Sequence, residues 1–161
     1  MRPNEQDVAE YPNSGPSAPV GGVRMASITM PASEAYVAFA RMATTQVGAS
    51  LGLSVGRVSD LRLAVDEACG QFLDAAAARV ADAVSLNVSF DRYPETLQVT
   101  VRGPISVGWP DQEGLGWLVL AALAADVRYE IGPQAGVGTL SFVEWLAPDD
   151  TFREAFWFAA P

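Results

Sequence analysis

The residues of this chain best suited to chemistry lie in one stretch, SDLRLAVDEACGQFLD, at positions 59–74. Asp66 and Glu67 are adjacent carboxylates, and Gln71 follows Glu67 by four residues. On a helix a four-residue step puts two side chains on the same face, one turn apart. A carboxylate and an amide so placed can orient a water, a hydroxyl or a hydrated metal ion. The same pattern also suits a solvated polar helix face. Cys69, in the same stretch, has no basic neighbour in sequence and reads as a small buried residue rather than a nucleophile.

Composition removes many other chemistries. The chain has 161 residues, enough for one domain with a sizeable core. Half of it is hydrophobic and 18% is charged, which predicts a folded protein. There is no His, and all 10 cationic residues are Arg. Without His there is no Ser/His/Asp triad, imidazole base or phosphohistidine. Without Lys there is no Schiff base and no P-loop lysine. A single Cys allows neither an intrachain disulfide nor a Cys-rich zinc site. The net charge of −9 argues against direct DNA binding and suits a basic partner. No signal-peptide pattern is visible at the N-terminus, and the most apolar run, 117–125, is too short to span a bilayer. The expectation is a soluble cytoplasmic protein without a membrane segment.

The elements that must position these residues follow from periodicity. Residues 1–22, rich in Pro, Gly, Ser and Asn, read as a disordered leader; 23–147 as the domain; and 148–161 as an acidic, then aromatic tail with Phe152, Phe156, Trp157 and Phe158. Residues 25–30 alternate as an edge or half-buried strand. Ser33 is the expected N-cap of a first helix, with an apolar stripe at Val37, Ala40, Val47 and Leu51 and Gly52 as its stop. A second helix runs from Ser54 to about Val80, with Val58, Leu61, Val65, Ala68, Phe72 and Ala76 at three- and four-residue steps. Strands at 84–90 and 97–101 flank turn residues 91–95, a hairpin. An acidic loop rich in Gly and Pro at 103–113 leads to a short helix over 115–125. Strands at 127–131 and 139–146 complete the order β-α-α-β-β-α-β-β. Trp109, Trp117 and Trp145 are expected in the core or at its rim. Paired strands with grouped helices predict an α+β two-layer sandwich, its sheet mixed but mostly antiparallel, with helices on one face.

The stretch LRLAVDEACGQFLDAA resembles the N-box helix of bacterial anti-sigma factors of the RsbW/SpoIIAB type, serine-protein kinases with a GHKL ATP-binding fold. Leu63, Ala64, Val65, Glu67, Ala68, Leu73 and Ala75 fit that pattern. Upstream, residues 30–54 are similar to the family's first strand-to-helix segment, including Phe39, Ala40 and Arg41. Downstream, EGLGWLVLAALAADVRYE is similar to its Gly-Leu-Gly segment and the following helix, and Gly138 and Thr139 fall where the family has a late Gly-Thr. The ordered match covers roughly residues 25–146.

The resemblance implies Glu67 as general base, with Gln71, Gly103, Gly114, Gly116 and Thr139 around ATP and Gln71 on its Mg²⁺. It implies that Arg41 and Phe39 contact an alternative sigma factor and a STAS-type anti-anti-sigma factor, and that the chain is a homodimer. The departures are local. Gln71 replaces the family's metal-holding Asn, and Arg102, Gly103, Pro104 and Ile105 follow Val101 where the family has an adenine-recognising Asp. Asp111 and Glu113 lie in the lid region, where acids repel phosphate. ATP binding is therefore expected to be weak, altered or absent. The expected function is an anti-sigma factor of the sigma-B/sigma-F type that sequesters its sigma factor in stress-response transcription. The alternatives are an active serine-protein kinase of the same fold and a non-catalytic α+β scaffold unrelated to sigma factors.

Overall fold

The structure, a computed structural model, describes residues 20–77, 84–133 and 135–146. Residues 1–19 of the expected 1–22 leader, the end of the second helix near Val80 and the tail from 148 lie outside the described residues. Strand β1 covers Val23–Pro31, β2 Ser85–Arg92, β3 Thr96–Pro104, β4 Ala125–Ile131 and β5 Val137–Trp145. Helix α1 covers Glu34–Ser50, α2 Val55–Ala77 and α3 Leu115–Leu123. The element order is the one the periodicity predicts. No helix among the described residues is long and apolar enough to cross a membrane.

The strands form one sheet in the order β1-β2-β3-β5-β4. All four pairings are antiparallel, so the expected mixed character is absent from the described sheet. Strand alternation sorts the side chains. Leu86, Val88 and Phe90 of β2, Leu97, Val99 and Val101 of β3, and Leu140 and Phe142 of β5 point inward and are fully buried or nearly so. Each such side chain contributes about 1.5–3 kcal/mol by leaving water. The helices cover this face, α2 through Leu61, Val65, Ala68 and Phe72, the stripe read from the sequence. α1 adds Val37, Ala40 and Val47, and its buried Thr44 hydroxyl donates to the Ala40 carbonyl at 2.7 Å.

Several local expectations change. Ser33 has the extended backbone of an N-cap but makes no side-chain capping bond. Gly52 ends α1 region as expected, at φ +72°, a left-handed conformation that favours glycine. Asp91, read as a turn residue, belongs to β2 and is only 2% exposed. It survives burial because Arg24 of β1 donates to it through Nε at 2.5 Å. The third helix stops at Leu123 and Ala125 already belongs to β4. Trp145 is more than half exposed, on the sheet face away from the helices, rather than in the core.

Candidate functional site

Glu67 and Gln71 project from α2 toward the first turn of α3. The approach depends on Gly116: a methyl group there would stand 2.6 Å from Glu67 Oε2 and 3.4 Å from Gln71 Nε2. The structure thus brings Glu67, Gln71 and Gly116 together. Glu67 makes no ion pair among the described residues.

Gly114 is the N-cap of α3. Its N–H donates to Asp111 Oδ1 at 3.1 Å and lies 3.3 Å from the Asp111 carbonyl. A helix N-terminus carries partial positive charge and exposed N–H groups, so it attracts an anion. Here the chain supplies two carboxylates to that end, Asp111 from the preceding loop and Glu67 from α2.

Beside Gln71 lies a cleft of about 200 Å³ between α2 and the loop after β3. Among the described residues its charged lining groups are Asp74 and Asp111, with no cation. Trp109 forms its inner wall and is 8% exposed. The indole packs 5.0 Å from the Phe72 ring and 5.8 Å, edge-on, from Tyr129. It also presses on β5 at Gly138, where a methyl group would come 2.8 Å from the indole Cζ3 and 2.7 Å from Ile105 Cγ2. Gly138 is paired with Gly103 at the end of β3. The Trp109 Nε1–H is buried and has no hydrogen-bond partner among the described residues.

Other candidate residues lie apart from this cluster. Thr139 pairs with Arg102 and Glu130 on the outer face of the sheet, while its neighbours Gly138 and Leu140 face the helices. The signal was in the sequence, since Leu140 and Phe142 in strand alternation force Thr139 outward. Gly103 faces inward, against Phe72, and is wall rather than contact surface. Arg41 of α1 is bound to Asp66 of α2, Nε to Oδ1 at 2.7 Å. Phe39, 52% exposed, stacks on Tyr36 at 6.2 Å on the same helix, and Met42 is also exposed. Burial first, then the nearby Asp66, pushes the Cys69 thiol up to about 12, with Arg41 opposing, so Cys69 is no thiolate nucleophile at neutral pH. Sequence reasoning missed the part played by Trp109 and Gly138, which meet only through tertiary packing of an aperiodic loop.

The sequence model of the histidine kinase-like ATPase domain matches residues 30–142, most of the chain, and the chain belongs to that family. No curated protein matches it in sequence.

The family description implies ATP, and with it Mg²⁺. The residues present do not fit that group. Gln71 is the amide that stands beside Glu67, and it is one methylene longer than Asn, which sets its oxygen off the strict Mg²⁺ distance. Triphosphate at the start of α3 would meet Asp111 and Glu67, and the cleft's charged lining among the described residues is acidic. At about 200 Å³ the cleft is also smaller than the roughly 300–1,000 Å³ usual for small-molecule sites.

Proposed function

We propose that this chain is an anti-sigma regulatory factor that binds and sequesters an alternative sigma factor of the sigma-B/sigma-F type stoichiometrically. Release comes from competition by an anti-anti-sigma factor of STAS type. The observation that carries this reading is the family membership of residues 30–142, combined with the ordered resemblance of the α1, α2 and α3 segments to anti-sigma factors. The surface of α1 supports it. Tyr36, Phe39 and Met42 expose apolar area along α1, and Arg41, on another side of the same helix, is held by Asp66 of α2. The net charge of −9 favours a basic, DNA-binding partner. In this reading the protein works in the cytoplasm, as a homodimer, and touches neither DNA nor membrane.

The test is promoter-specific transcription in vitro. Adding the purified chain in molar excess to polymerase charged with its alternative sigma factor abolishes the transcript, and adding the STAS-type antagonist restores it. Undiminished transcription by every alternative sigma factor of the source genome would sink the proposal. The kinase alternative requires phosphate transfer to the antagonist that disappears in Glu67→Ala, and the acidic cleft offers it no support.

A further inference from the structure

We infer that the nucleotide slot of this domain is filled by the chain's own groups, an indole and two carboxylates, and takes no ATP. Three independent contacts carry this. Trp109 occupies the space between α2 and the inner face of the sheet, bounded by Phe72, Tyr129 and Gly138. That space lies at the end of β3, where Gly138 pairs with Gly103 and where the ATP-binding relatives are expected to recognise a base. A flat, nine-atom indole is the side chain closest in size to a purine, and glycine at 138 is what admits it. At the start of α3, the N–H of Gly114 is taken by Asp111, and the Glu67 carboxylate stands over Gly116. Asp111 occupies the Gly114 N–H, and Glu67 sets a second negative charge beside the helix N-terminus that a phosphate would seek. The described residues that line the remaining opening beside Gln71 include Asp74 and Asp111 and no cation.

The loop that does this is anchored at both ends. The Ile105 N–H donates to the Gly136 carbonyl at 2.9 Å, and the Trp109 N–H to the Ser106 carbonyl at 3.3 Å. Asp111 then ties it to α3. Displacing the indole would expose Phe72 and open a cavity in the core, which costs several kcal/mol for a large aromatic. A polyanion entering beside two carboxylates gains nothing to offset that cost.

The consequence for regulation rests on the reading proposed above: capture and release of the partner proceed without ATP, by competition alone. The slot itself is tested on the purified full chain with no partner present, so its failure and that of the anti-sigma reading are separable. Calorimetric titration with ATP, with and without Mg²⁺, yields no saturable heat, and the Tm does not rise at up to about 5 mM nucleotide. Saturable binding with a Kd below about 1 mM overturns the inference. In Trp109→Ala, or Trp109→Leu should the first not fold, free indole and adenosine raise the Tm, whereas neither does so in the wild type. ATP raises it less than adenosine, because its phosphates meet Glu67 and Asp111. No rise with indole or adenosine removes Trp109 as the filling group, and a larger rise with ATP than with adenosine removes the role of the carboxylates.

Discussion

Arg41 and Asp66 tie the exposed face of α1 to the residue next to Glu67, through Nε at 2.7 Å and Nη2 at 2.6 Å from one carboxylate oxygen. The pair is partly exposed, so its contribution to stability is small, about 0.5–1 kcal/mol. Its value lies in fixing a planar guanidinium at the junction of α1 and α2. Arg41→Ala is expected to leave urea unfolding nearly unchanged while weakening sigma-factor binding by about tenfold, or 1.4 kcal/mol. Arg41→Lys restores little, since an ammonium lacks the fork. Equal affinities for wild type and Arg41→Ala in a binding titration would remove Arg41 from the interface.

Gly116 and Glu67 form a pair whose coupling has a definite sign. Gly→Ala on a helix ordinarily gains up to about 1 kcal/mol. With Glu67 present, Gly116→Ala meets its carboxylate oxygen at 2.6 Å, and because that flexible side chain can swing aside the substitution is expected to lose only part of this gain. In a Glu67→Ala background the same substitution keeps the full gain. Chemical denaturation of the four proteins measures the coupling; additive effects would place α3 further from α2 than described.

Gly138→Ala drives a methyl into both Trp109 and Ile105, at 2.8 and 2.7 Å. Overpacking of this kind costs about 1–3 kcal/mol. The loss is expected to shrink in a Trp109→Leu background, where the indole is gone. Equal losses in the two backgrounds, read from urea midpoints, would separate Gly138 from Trp109.

Cys69 gives a pH dependence. Its folded thiol is pushed from the ordinary 9.0 up to about 12, chiefly by burial. The folded state therefore binds the proton more tightly than the unfolded state. This contribution is complete below pH 9.0 and declines as pH rises from there toward about 12. Cys69→Ala flattens that alkaline decline. In the native protein at neutral pH the thiol reacts with a disulfide reagent only as fast as the fold opens; immediate labelling would contradict its burial.

Much of the fold was legible because its signals are periodic. The three- and four-residue steps from Leu61 to Ala76 mark the buried stripe of α2, and the alternation around Val88 and Val99 marks the central strands. α3 was read two residues too long because LGWLVLAAL is apolar throughout, so no period marks where it ends. Asp91 looked like a turn acid because a lone carboxylate gives no hint of Arg24, a partner 67 positions away. In the site, the four-residue step placed Glu67 and Gln71 on one face. The packing of Trp109 on Gly138 joins a loop without periodicity to a distant strand, and no local pattern encodes such a contact.

The central claim is that the chain captures a sigma factor without help from a nucleotide. The direct measurement is capture of partners from lysate of the source organism by the tagged full chain, with and without ATP, identified by mass spectrometry. The account predicts an alternative sigma factor, or its STAS-type antagonist, in equal yield under both conditions. Recovery of neither in either condition would contradict the anti-sigma reading, and recovery only with ATP would contradict the filled slot.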